Sequence, residues 1–163
     1  MHLPIVYLTF TLLLAAAAVS DFVSQRIPNW IVLALLALFL IQAGRHLPAV
    51  YWLGQLGAGG LLLVIGIVLY TLGQLGAGDA KLIAALGVWA GFSALLPTLM
   101  IISLAGLVVA GVLVAARLLP WRRLDPGERR PKALTKGGGI PFGIAIAAGS
   151  LLSASYFAPW LWS

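Results

Sequence analysis

Cysteine is absent from the 163-residue sequence, and acidic residues are almost absent. Without cysteine there is no disulfide and no thiolate metal ligand. The two histidines, His2 and His46, lie far apart and beside no acidic residue, so no metal set of the usual nitrogen and carboxylate ligands forms. No glycine-rich loop ends in Lys-Ser or Lys-Thr, which excludes the common phosphate-cradling motif. The expectation is therefore no cofactor and no metal. Charged residues make up 9% of the chain, against about 25% in soluble domains. That is too few to cover a globular surface.

What is present is hydrocarbon. The chain is 62% hydrophobic with a mean hydropathy of +1.08. Runs such as IVYLTFTLLLAAAAV and LLPTLMIISLAGLVVAGVLVAA are long enough to cross most or all of a bilayer. The first run ends in LLLAAAAVS, similar to a signal cleavage site, but no lysine or arginine stands in the first nine residues. It is read as a retained helix. Run lengths and breakers predict spans over about 3–21, 29–43, 48–72, 79–90, 95–119 and 140–158. The expected fold is all-α, a polytopic membrane helix bundle of about six transmembrane helices forming one domain over 1–163. A basic, proline- and glycine-bounded loop occupies about 120–137, and the aromatic YFAPWLWS at the end suits a membrane interface.

Charge predicts orientation. Arg26, Lys81, Arg117, Arg122, Arg123, Arg129, Arg130, Lys132 and Lys136 fall on one side of a six-span topology, and Arg45 alone on the other. The positive-inside rule then places both termini outside the cytoplasm. The net charge of +6 reports this topology and anionic lipid, not a nucleic-acid partner.

The acidic residues are Asp21, Asp79, Asp125 and Glu128, and the last two stand in the basic loop. Asp21 and Asp79 are expected at the same depth, near the cytoplasmic membrane surface. Either one alone reads as a solvated helix-end residue, and Asp79 as an N-cap. Carboxylates near hydrocarbon tend, however, to be paired or functional. Two close carboxylates share a proton and can activate water, one as base and the other as acid. The helix dipole favours Asp79 as the base and Asp21 as the acid. Gly73, Gly76 and Gly78 leave room for a substrate backbone beside Asp79. Ala80, Ala84, Gly87 and Gly91 form a small-residue face for close helix contact, expected to hold Asp79 near the first span. Lys81, about 200° around the helix from Asp79, is expected to reach lipid phosphate.

Three segments carry a resemblance. DFVSQRIPN (21–29) contains an aspartate followed by Ile-Pro-Asn. GAGDAKLIAALGVWAG (76–91) contains Gly-x-Gly-Asp and a Lys-Leu continuation. GGGIPFGIAIAAG (137–149) contains Pro-Phe-Gly. In this order and spacing they resemble type IV prepilin peptidases, bacterial aspartic membrane proteases. The short form of Flp, or tight-adherence, pilus systems is the most similar branch. The resemblance implies Asp21 and Asp79 as catalytic residues, with Gly76, Gly78, Lys81, Pro28, Asn29, Pro141 and Gly143 as substrate-binding or loop positions. It also implies a prepilin or pseudopilin substrate with a short basic leader, cleavage at the cytoplasmic face of the inner membrane, and pilus or secretion machinery as partner. Longer members carry an N-terminal cysteine-rich region and methylate the new amine. This chain has no cysteine, so methyltransferase activity is not expected.

Three other readings share the residues. An ion-coupled transporter subunit would use the aspartates at a broken helix, and an assembly scaffold would not use them at all. A presenilin-like intramembrane protease also uses Gly-x-Gly-Asp, but with a Tyr-Asp pair where this chain has Ser20-Asp21.

Overall fold

The structure, a computed structural model, describes residues 3–118 and 142–153. Within them the chain is helical throughout: α1 (Leu3–Ser24), α2 (Asn29–His46), α3 (Ala49–Thr71), α4 (Ala77–Leu118) and α5 (Phe142–Ser153). The basic loop, Pro141 and the terminal aromatic cluster lie outside the described residues.

Local chemistry sets the breaks. Gln25 has a positive φ of 53°, which turns the chain out of α1. Pro28 and Pro48, both in extended conformation, precede α2 and α3, as expected of a residue whose missing N–H costs nothing at a helix start. Gly73, at a φ of 72°, ends α3. The Gly73 amide donates to the Tyr70 carbonyl at 3.0 Å and the Gln74 amide to that of Leu69 at 2.9 Å, the paired bonds of a Schellman cap. Gly73 thus closes a helix.

Six spans are expected, and the described residues form five helices. The fourth and fifth expected spans run together as α4, 42 residues long. The separation survives as a break inside it. Gly91 has φ 60° and ψ 179°, a conformation open in practice only to glycine. Gln55 of α3, buried, fills the notch, its Oε1 lying 2.6 Å from where a Gly91 Cβ would stand. Helical geometry resumes at once beyond the kink, and Pro97 stands six residues past Gly91, inside the second turn of the segment that follows.

Ile5–Ser24, Ala49–Thr71 and Ala77–Ala116 are long and apolar enough to cross a membrane, while α2 and α5 are shorter apolar helices. Their outward surface is hydrocarbon: Leu53 is 83% exposed and Leu107 70%. Water would penalise such a surface and lipid does not. This is a membrane protein.

The interior has two faces, both meeting at α4. One face of α4 lies on α3 through small residues. A Cβ at Gly87 would stand 3.2 Å from the Ala58 carbonyl oxygen, and one at Gly59 3.0 Å from that of Ala84. The small-residue face of α4 therefore packs on α3, not on α1 as expected, because α3 supplies the matching glycines. The other face carries Trp89, which is 1% exposed. Its ring meets Phe10 of α1 at 4.7 Å and Phe39 of α2 at 5.7 Å between centroids. Its indole N–H donates to the Leu35 carbonyl at 3.1 Å. Leu14, Leu35, Leu86 and Ile146 complete this core.

Trp89→Ala removes the side chain common to three helices. It is expected to destabilise the fold by about 3–5 kcal/mol, read as a lower thermal midpoint in detergent. Trp89→Phe, which loses only the indole bond and part of the ring, is expected to cost about 1–2 kcal/mol.

Candidate active site

Asp21 lies one turn before the C-terminal end of α1 and is 6% exposed. A helix end of that polarity offers carbonyl oxygens, so a carboxylate there needs donors from elsewhere. The donor is the Gly143 amide in the first turn of α5, 2.7 Å from Asp21 Oδ2. No side chain could occupy position 143. A Cβ would stand 2.8 Å from Asp21 Cβ and 2.9 Å from Oδ2. The approach requires glycine.

Asp79 is the third residue of α4 and 8% exposed. The helix starts two residues before the expected position, so Asp79 lies inside the first turn and is not the N-cap. Its carboxylate accepts the Gly76 amide, the reach-back half of a capping box. A Cβ on Gly76 would stand 2.8 Å from Asp79 Oδ2, so the glycine also keeps this edge of the carboxylate uncovered. Oδ1, the other oxygen, is buried and has no hydrogen-bond partner among the described residues. Asp21 lies close enough to act electrostatically on Asp79. Residues 58 positions apart in sequence, on helices with little direct backbone contact, thus converge.

The α1–α2 turn makes that convergence possible. The Ser20 hydroxyl donates to the Arg26 carbonyl at 2.7 Å, and the Gln25 amide to that of Asp21 at 2.8 Å. These bonds tie the turn back to α1. At its far side Ile27 packs on Gly78, where a Cβ would stand 3.1 Å from Ile27 Cβ and 3.2 Å from its amide nitrogen. Lys81 Nζ donates to Asn29 Oδ1 at 3.1 Å. Lys81 therefore reaches α2 and not only the lipid surface. The structure brings Gly76, Gly78, Lys81, Pro28, Asn29 and Gly143 to the two aspartates or to this turn. Pro141 lies outside the described residues. The sequence assigns Ser20 and Ile27 no site role, although Ser20 adjoins Asp21 and Ile27 belongs to the Ile-Pro-Asn segment; the signal for Ser20 is a hydroxyl next to a helix-end aspartate. Among the described residues, no three histidine, cysteine or acidic side chains cluster as a metal site.

Two neighbouring carboxylates, each accepting a backbone amide, are a pair that can bind a water and pass protons across it. The Gly143 contact has a direct test. Gly143→Ala forces α5 away from Asp21 and is expected to raise carbodiimide labelling of Asp21 several-fold, read by peptide mass spectrometry. Gly44→Ala, at a position with nothing within 4 Å, is expected to leave labelling unchanged.

The comparisons bear on the same residues. No curated protein and no solved structure matches the chain. The family model described as the type IV leader peptidase family matches residues 8–111. That region contains both aspartates and the turn between them and stops short of α5. The match extends over well more than half of the sequence, and on it the chain belongs to the type IV leader peptidase family.

Proposed function

We propose that this protein is a membrane aspartic endopeptidase that removes the short basic leader from Flp-like prepilins at the cytoplasmic face of the inner membrane. Asp21 and Asp79 form its catalytic dyad. The observation that carries this reading is the convergence of two buried carboxylates in a chain whose other two acids stand together in the basic loop. Family membership supports the peptidase class. The six-span topology with both termini outside the cytoplasm is part of the same proposal, α4 counting as two passes divided at Gly91.

The chemistry is that of a shared proton. Two adjacent carboxylates cannot both ionise easily, so the pair holds one proton. The ionised member takes a proton from water as the oxygen attacks the scissile carbonyl carbon, and the protonated member donates to the carbonyl oxygen. Collapse of the tetrahedral intermediate breaks the C–N bond. The proton taken from water goes to the departing amine, a hydroxyl of the intermediate returns its proton to the other carboxylate as the new carboxyl group forms, and the dyad is back at one proton.

The helix dipole does not assign the two roles. Asp79 lies in the first turn of its own helix, but Asp21 accepts an amide from the first turn of α5, so each carboxylate faces a positive helix end. The dipole of α1 alone would favour Asp79 as the base, and the α5 amide offsets that preference.

Cleavage of a co-expressed prepilin in membranes tests the proposal. Asp21→Asn and Asp79→Asn keep side-chain size but cannot share the proton. Each is expected to lower cleavage by roughly a thousandfold or more, the scale of losing a member of a catalytic unit, with the protein still present in the membrane. If both variants cut as well as the parent, the aspartates bind an ion or shape the fold, and the transporter or scaffold reading replaces this one.

A further inference from the structure

We infer that Lys81 and Asn29 form a positioning clamp that sets the separation of Asp21 and Asp79, and that Lys81 acts through Asn29 and not through substrate or lipid. The inference rests on the peptidase reading for its effect on rate, but not for the clamp itself.

Its basis is how the two aspartates are connected. α1 packs on α5 and α2, while α4 packs on α3, α5 and α2. Near the carboxylates, α1 and α4 share no extensive contact that could fix their spacing; their main meeting, Phe10 on Trp89, lies three turns or so deeper. α5 joins the two helices by packing on both, and a second link from Asp21 to Asp79 runs through the α1–α2 turn. Its first half is rigid. Gln25 sits in the left-handed region, the Gln25 amide bonds back to the Asp21 carbonyl, and Ser20 holds the Arg26 carbonyl. From Ile27 onward the turn touches α4 at two places, which bracket Asp79. Ile27 lies against Gly78, one residue before it, and Asn29 accepts the Lys81 ammonium, two residues after it.

The two contacts differ in kind. Ile27 on Gly78 is a van der Waals stop, which sets how near α4 can come and resists no separation. Lys81 on Asn29 is a hydrogen bond with a charged donor, which draws the two helix starts together. One limits approach and the other limits departure. Lys81 lies on the opposite side of α4 from Asp79 by helix geometry, at about 200°, so its bond fixes the rotation of the first turn as well as its distance. This accounts for a lysine on the far side of the helix from the carboxylates.

The test uses two readouts. In prepilin cleavage, Lys81→Met and Asn29→Leu are each expected to lower kcat roughly three- to tenfold, the rate equivalent of one ordinary net hydrogen bond, with KM unchanged. The double variant is expected to be no slower than either single one. The exchanged pair Lys81→Asn with Asn29→Lys is expected to regain most of the rate. A rise in KM, a silent Asn29→Leu or multiplicative losses would instead put Lys81 on substrate or lipid phosphate and overturn the clamp.

The second readout needs no cleavage. The chain has no cysteine, so Ile27→Cys with Gly78→Cys gives one possible disulfide across the turn. Adding Lys81→Met is expected to slow its oxidative formation several-fold, and an unchanged rate overturns the clamp. If the parent cuts no prepilin but the cross-link slows, the peptidase reading fails and the clamp stands.

Discussion

The Gly143 amide and the Asp21 carboxylate, 122 residues apart, meet at 2.7 Å, and the arrangement of the site depends on that contact. A carboxylate at the C-terminal end of α1 faces carbonyl oxygens, and in a membrane helix bundle water is not freely available to offset them. The compensating donor has to come from the start of another helix. The first turn of α5 supplies it, at a position where only glycine lets the backbone come so near. The last described helix is thereby drawn against the first, with Asp21 near enough to Asp79 to act on it electrostatically.

α4 meets the same requirement with its own backbone. Asp79 accepts the Gly76 amide of its own first turn, so its solution is local where that of Asp21 is tertiary. The rest of α4 serves to hold that turn in place. Small residues let it lie close on α3, and Trp89 fills the opposite side between Phe10 and Phe39. The break at Gly91, packed by Gln55, follows one turn or less beyond Trp89. The segment carrying Asp79 is thus confined on both faces, and the remainder of α4 leaves in a new direction.

The α1–α2 turn joins these two solutions. It is short, it is tied to α1 by Ser20 and Gln25, and its Ile27 and Asn29 contact the residues on either side of Asp79. The motif residues therefore divide by task. Asp21 and Asp79 carry the ionisable groups, Gly76 and Gly143 supply amides to them, and Ile27, Gly78, Asn29 and Lys81 govern their spacing. None of the latter four needs to touch a substrate to matter.

The sequence by itself determined the class of the protein, the helical runs, the breaks at Pro28 and Pro48, and the two aspartates as a pair distinct from the acids of the basic loop. Those features follow from composition and from local backbone chemistry, which act over a few residues. It could not determine that the fourth and fifth runs meet at a kink at Gly91 with no loop between them, because a glycine at a kink and one before a loop look alike until Gln55 is seen in the notch. It misassigned the small-residue face of α4, since small residues permit close packing without naming the partner. It misjudged the electrostatic setting of Asp21, because the relevant helix end belongs to α5, beyond a long loop. Tertiary structure decided each of these, for one physical reason: donors, packing partners and neighbouring charges act through space, and their distances along the chain carry no trace of it.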